Sequence, residues 1–142
     1  MKKQKISAKT VALLAMMIAL ALVFSYVETL IPINFGIPGV KLGLANLVIV
    51  AALYLIGGKE AFLVSVVRIF LSGFMFGNLA SIMYSLAGGL LSLAVMLILK
   101  KTDKLSILAV SVLGGICHNI GQLIVAILVV WALLDRVRYN RY

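Results

Sequence analysis

Acidic residues are scarce in this sequence. Thirteen lysines and arginines stand against four acids, which are Glu28, Glu60, Asp103 and Asp135. The four carboxylates are widely separated along the chain and form no aspartate-rich motif. Hard cations such as Mg²⁺ need clustered oxygen ligands, so we predict no metal site and no cofactor.

Cysteine and nucleotide-binding motifs are also lacking. The single cysteine, Cys117, lies inside an apolar run, which excludes a disulfide framework. The glycine-containing stretch GGKE at 57–60 does not have the spacing of a phosphate-binding GxxxxGK[ST] loop. The chain is therefore not predicted to hydrolyse ATP by itself.

Apolar residues are what the sequence has in abundance. They make up 64% of 142 residues, with a mean hydropathy of +1.21. A soluble domain of this size has no core large enough to hide so much apolar surface. We therefore predict one all-α, polytopic membrane domain over residues 1–142. Its five apolar segments run over about 8–27, 40–56, 61–76, 79–99 and 105–134.

The first and third of these segments need separate interpretation. The basic start and the apolar run that follows it also fit a secretory signal. Because that run continues to about Val27 and more segments follow, we interpret it as a retained first helix. The third segment is short for a hydrocarbon layer of about 30 Å, so it is predicted to be tilted, covered by its neighbours or incompletely spanning.

The net charge of +9 is distributed in a way that favours a membrane over a nucleic acid. Lysines cluster at the ends of apolar segments, as lipid headgroups and the positive-inside rule require. If every segment spans, the clusters at 2–9, 59 and 100–104 share one side. That side is predicted to be the cytoplasmic face of the membrane, with the N-terminus inside.

The basic stretch DRVRYNRY at 135–142 breaks this pattern, because five spans would place it outside. Two explanations stay open: the last segment re-enters or turns, or the sequence is truncated and a further helix that would return the chain is missing here. The region from about residue 131 onward is therefore atypical.

Four segments carry small or polar residues at positions i, i+4, i+7 and i+11, which lie within about 60° of one another on a helix. Such stripes let helices approach closely in lipid. Packing explains most of them, whereas the alanine stripe of the first segment buries nothing polar and could dock a partner helix. The stripes are Ala8, Ala12, Ala15 and Ala19; Ala61, Ser65, Arg68 and Ser72; Ser81, Ser85, Gly88 and Ser92; and Ser111, Gly115, His118 and Gln122.

Arg68 is the most costly residue to insert. A charge near the bilayer centre costs about 2.5 to 3.5 kcal/mol on insertion scales and normally faces the bundle interior. Arg68 either forms a structural ion pair, with Glu28 or helix carbonyls, or balances the charge of an anionic ligand. His118, Asn119 and Gln122 are close in sequence and either bond between helices or line a site.

The stretch 31–47, IPINFGIPGVKLGLANL, holds both prolines and three glycines between two apolar segments. Irregular backbone near a membrane is tolerated where protein covers it or it lines a cavity. We predict a structured outer loop leading into a helix near Val40. Its N-terminal amides and Lys41 would form an anion-capturing mouth; alternatively Lys41 reaches lipid headgroups from a plain loop.

Three motifs resemble a known family: YVETLIPINFGIPGVKLGLANLV, RIFLSGFMFGNLASIMYSLAGGLLSLAVMLILKK and SVLGGICHNIGQLIVA. Over about residues 8 to 128 the chain resembles the small bacterial membrane proteins known as the Gx transporter family or heptaprenyl diphosphate synthase component I. Family members look similar to the substrate-binding subunits of energy-coupling factor transporters, which are bundles of about six helices. The pattern expects a sixth helix after about residue 130, from which this chain departs.

The resemblance implies roles for particular residues. It assigns partner docking to Ala12, Ala15 and Ala19, and ligand enclosure to the region from Glu28 to Lys41 together with Asn46. Arg68, Asn78, His118, Asn119 and Gln122 match positions of the family pattern and are added to the predicted ligand site.

Three functions follow from these features. The first is a transport subunit that binds a small organic, anionic solute and relies on a separate energy-coupling subunit and ATPases. The second is a non-catalytic membrane partner of heptaprenyl diphosphate synthase, or of a quinone or flavin electron-transfer system, since scattered carboxylates do not support prenyl transfer. The third is a purely structural membrane subunit. An aqueous cavity lined by Arg68, His118 and Gln122 would favour the first.

Overall fold

A computed structural model describes residues 5–31 and 44–141, which form five α-helices and no strand. Each predicted apolar segment contains one helix, so the all-α prediction is confirmed. The helices are α1 (Ala8–Leu30), α2 (Leu44–Leu55), α3 (Gly58–Phe76), α4 (Leu79–Thr102) and α5 (Ile107–Tyr139).

Three of the five helices are long and apolar enough to cross a membrane: α1, α4 and α5. The described part of α2 has 12 residues, which span about 18 Å at 1.5 Å per residue. Helix α3 has 19 residues but carries Lys59, Glu60 and Arg68. That the third segment is tilted, covered by its neighbours or incompletely spanning stays a prediction.

Side-chain caps determine where several helices begin. The Ser7 hydroxyl accepts a hydrogen bond from the amide of Thr10, and Asn78 Oδ1 accepts one from the amide of Ser81 at 2.8 Å. Ser106 does the same for Ala109 at the start of α5. These bonds satisfy amides that have no partner inside a helix. Short polar connections therefore separate helices that are otherwise apolar along their length.

Each helix packs against particular neighbours in the bundle. The most extensive interface is between α4 and α5, while α3 contacts α1, α2 and α4. Among the described residues, α3 and α5 do not pack against each other. Helix α2 contacts all four other helices, and it supplies the centre of the apolar core. That core comprises Ile49, Val50, Ala52, Leu53, Ala61, Val64, Leu93, Met96 and Val110.

Lysines of the described residues gather at one end of the bundle, as the charge pattern predicts. Lys100, at the end of α4, donates a 2.6 Å hydrogen bond to the carbonyl of Leu53 at the end of α2. Lys5 and Glu60 line one small pocket at the starts of α1 and α3. We call this the lysine-rich end. Glu28 and Asn78 lie at the opposite end, near the end of α1 and the start of α4.

Helix α5 continues without interruption to Tyr139. Its 33 residues extend about 50 Å, so the suggestion that this segment turns or re-enters is wrong for the described residues. Its buried residues all lie between Val110 and Gln122. From Leu123 to Arg141 no residue is buried, and this half of the helix projects from the bundle.

Candidate functional site

A polar cluster joins α1, α2 and α3 inside the bundle. Glu28 of α1 is 9% exposed and accepts a hydrogen bond from the backbone amide of Leu44, the first residue of α2. Its negative charge also acts on Arg68 of α3, which is 3% exposed. One carboxylate therefore caps a helix N-terminus and offsets a buried guanidinium. We call Ser25, Glu28 and Arg68 the arginine cluster.

We assign Ser25 to this cluster because it lies one turn before Glu28 on α1, at a spacing that puts both side chains on the same helix face. It is fully buried, and its hydroxyl oxygen has no hydrogen-bond partner among the described residues. Arg68 Nε is also buried without a hydrogen-bond partner among the described residues. Ser72, one turn after Arg68, donates to the carbonyl of Ile69 at 3.2 Å. The arginine cluster thus contains two buried polar atoms that could bond to a further group. Without such a group, burying these atoms in an apolar surrounding is costly.

A second cluster lies where α2, α4 and α5 meet. Asn46 Oδ1 accepts a 3.2 Å hydrogen bond from the Ser92 hydroxyl, and both residues are buried. A Cβ atom on Gly114 of α5 would be 3.3 Å from Asn46 Nδ2, so that glycine leaves room for the amide. This contact connects the described start of α2 to the long helices.

His118 and Gln122 lie against α4 at Gly88. A Cβ atom on Gly88 would be 2.5 Å from the His118 carbonyl oxygen and 3.1 Å from His118 Nδ1. Both polar side chains are buried, at 3% and 0% exposure. The absence of a side chain at position 88 therefore makes the space that these two residues occupy.

Within the part of the chain that the structure describes, the predicted site residues lie in separate groups instead of one. Arg68 belongs to α3 and its neighbours α1 and α2, whereas His118 and Gln122 pack on α4. Helix α4 lies between them: Gly89 faces Ser65 and Ile69 of α3, at 3.4 Å and 3.0 Å from its ideal Cβ position.

Several predicted ligand residues lie elsewhere. Asn119 is on the exposed face of α5, and Asn78 is also exposed and serves as the cap of α4. Lys41, with most of the predicted outer loop, lies outside the described residues. The amide of Leu44, near the predicted anion-capturing mouth, is bonded to the chain's own Glu28. On α5 it is Gly114, and not Gly115, that faces a neighbour, since an added Cβ at Gly115 would meet nothing within 4 Å.

The serine and arginine stripes of α3 and α4 are buried as packing requires. The alanine stripe of α1 differs, because Ala8, Ala12, Ala15 and Ala19 are all exposed. The side of α1 that packs on the core instead presents Leu14, Met17 and Ile18. The small-residue face is therefore unoccupied by the other described helices.

Ser25 is the one member of the arginine cluster that the sequence analysis missed. It precedes Glu28 by three residues, and side chains at that spacing share a helix face. This three-residue spacing from Glu28 is the sequence signal that could have identified Ser25. Within 5–31 and 44–141, no group of three or more histidine, cysteine or acidic residues could hold a metal ion.

These features define a helical membrane-protein bundle with polar groups enclosed in an apolar interior. No curated protein and no solved structure matches the chain. Residues 17–134 match the family model described as heptaprenyl diphosphate synthase component I. Because the match covers well over half of the sequence, the protein belongs to that family. The resemblance identified from the glycine-rich motifs is thereby confirmed for this family.

Proposed function

We propose that the protein is the substrate-binding membrane subunit of a transporter. It takes up a small organic solute bearing an acceptor group such as a carboxylate or phosphate. The observation that carries this proposal is the arginine cluster, in which Arg68 Nε and Ser25 Oγ are buried without a hydrogen-bond partner among the described residues.

The energetic argument starts from the cost of this arrangement. Leaving a buried donor unsatisfied costs about 1 to 3 kcal/mol, in addition to the cost of placing an arginine among apolar helices. A purely structural pair would be expected to use all its donors. An acceptor group supplied by a solute would bond to Arg68 and Ser25 and recover much of that cost.

The position of the cluster also suits a solute-binding role. Glu28 is two residues from the end of α1, at the end of the bundle opposite to the lysines. We assign that end to the outside of a bacterial cell membrane by the positive-inside rule. The cluster also contacts the start of α2 through Leu44.

Transport requires an energy source, which we place in separate proteins. Ala12, Ala15 and Ala19 form an exposed face that no other described helix covers. Small residues allow two membrane helices to approach closely and gain van der Waals contact. We therefore propose this face as the docking surface for an energy-coupling membrane subunit that works with ATPases.

Mass spectrometry of small molecules retained by the detergent-purified protein tests the solute. Arg68→Lys is the informative variant, because it keeps the positive charge beside Glu28 but removes the guanidinium donors. Arg138→Lys, on the exposed end of α5, is the matched control. We expect a retained solute in the wild type and the control, and its loss in Arg68→Lys. Equal retention in all three proteins would exclude the arginine cluster as the site.

The family description supports a second candidate, a non-catalytic membrane partner of a heptaprenyl diphosphate synthase. The four acids lie on four different helices or their ends, with Asp103 at the end of α4 and Asp135 on the projecting half of α5. This arrangement gives no cluster for Mg²⁺, so catalysis would belong to another subunit. Addition of the purified protein to a catalytic prenyl synthase subunit tests this candidate: stimulated chain elongation would favour it over transport.

A further inference from the structure

A second surface feature lies between α2 and α5 and includes no residue of the arginine cluster. An open groove of about 510 Å³ runs between the side chains from Leu47 to Leu55 of α2 and from Ile107 to Ser111 of α5. Apart from Ser111, every side chain that lines it is apolar or, at Tyr54, aromatic. The exposure of Leu55 at 75% and Leu108 at 76% is consistent with a surface that faces lipid.

The groove is short and open. From Leu47 to Leu55 it follows α2 for about 12 Å, and its walls at Leu55 and Leu108 are largely exposed. A flexible hydrocarbon chain can lie along such apolar walls.

One end of the groove carries positive charge. The Lys100 ammonium lies 5.2 Å from the centroid of the Tyr54 ring, which lines the groove, and donates to the Leu53 carbonyl. An ammonium group has three donors, so this hydrogen bond leaves two for another acceptor. The neighbouring Lys101 and Lys104 are exposed, and Asp103 is the only acid in the same KKTDK stretch.

We propose that this groove binds one acyl chain of an anionic phospholipid, whose phosphate lies against Lys100 at the lysine-rich end. The apolar walls solvate the chain, and the ammonium recognises the headgroup. A lipid is favoured over a protein because the groove combines apolar walls with an ammonium group at the lysine-rich end, where lipid headgroups lie. This inference does not depend on the proposed transport function, since it uses no residue of the arginine cluster.

Fluorescence quenching by brominated lipids tests the proposal. The chain has a single tryptophan, Trp131, so Trp131→Phe gives a silent background. Leu108→Trp then places a reporter in the groove at a side chain that is already exposed. The protein is reconstituted in mixed phosphatidylcholine and phosphatidylglycerol, with either lipid brominated in turn. Phe70→Trp on α3, 41% exposed, is the matched control position.

We expect phosphatidylglycerol to be enriched at position 108 by about fivefold over the bulk mixture, as one lysine near a membrane surface supplies about 1 kcal/mol. Lys100→Gln should abolish the enrichment and Lys100→Arg should preserve it, while position 70 stays at the bulk ratio. Bulk composition at position 108 in the otherwise unchanged protein would overturn the proposal. So would weak quenching by both lipids, which would mean that protein covers the groove.

Discussion

Gly121 of α5 lies directly against Gly88 of α4, so that a Cβ atom on residue 121 would be only 2.7 Å from the Cα atom of Gly88. The same Cβ would be 2.8 Å from the carbonyl oxygen of Ala87. Backbone atoms cannot swing aside as flexible side chains can. This contact therefore sets the spacing of the most extensive helix interface in the protein.

Gly121→Ala should destabilise the protein by about 1 to 3 kcal/mol, because overpacking of this size forces the two helices apart. Gly115→Ala is the matched control on the same helix, since its new Cβ would meet nothing within 4 Å. The midpoint of thermal unfolding in detergent should fall for Gly121→Ala only. Equal midpoints for the two variants would contradict the close contact.

Glu28 and Arg68 should be energetically coupled. Glu28→Gln can still accept from the Leu44 amide, but it leaves the Arg68 charge without its counter-charge, which typically costs about 3 to 5 kcal/mol for a buried pair. The double variant Glu28→Gln/Arg68→Gln should lose less stability than the sum of the single variants. Denaturant titration in mixed micelles measures these differences.

Glu60→Gln is the control for that cycle. Glu60 lies in the first turn of α3, at the lysine-rich end, and its replacement should change stability by no more than about 0.5 kcal/mol. Strict additivity of the Glu28 and Arg68 effects would show that the two charges do not act on each other.

Larger residues on the alanine face of α1 should leave the isolated protein folded but prevent its binding to a partner subunit. Ala15→Leu and Ala19→Leu place bulk on exposed positions, so folding and thermal stability should be preserved. Co-purification with an energy-coupling membrane subunit should be lost, because close helix approach needs small residues. Leu20→Phe, on a neighbouring exposed face, is the control that should still bind. Unchanged co-purification of the alanine variants would remove this docking surface.

Membrane orientation can be tested with single cysteines in a Cys117→Ala background. Lys104→Cys marks the lysine-rich end, and Leu79→Cys, at a side chain 73% exposed, marks the other end. A membrane-impermeant maleimide added to intact cells should label Leu79→Cys at once. It should label Lys104→Cys only after permeabilisation, because the positive-inside rule places that end in the cytoplasm. Labelling of Lys104→Cys before Leu79→Cys would place the arginine cluster at the cytoplasmic end of the bundle instead of the outer end.

The sequence predicted most of the architecture because lipid solvation acts on each segment independently. Twenty or so apolar residues must form a helix to satisfy their backbone hydrogen bonds, and this condition can be evaluated without knowing the neighbours. The five helices, the buried stripes of α3 and α4, and the gathering of lysines at one end follow from it.

The composition of the candidate site could not be predicted in the same way. Periodicity placed Arg68, His118 and Gln122 on inward faces, but it does not specify which helix each face meets. The packing order, with α4 between α3 and α5, separated these residues into two groups. Periodicity likewise could not show whether Gly114 or Gly115 faces a neighbouring helix, because the two positions lie only about 100° apart around α5.

The sequence by itself determined the class of this protein, the helices of the described residues and the few polar residues that must avoid lipid, because composition and periodicity are local properties. Only the tertiary structure decided that Glu28 caps α2 beside Arg68, that Gly88 makes room for His118, and that the alanine face stays exposed. Those relationships depend on contacts between residues distant in the chain, whose geometry is set by how side chains of different helices fit together.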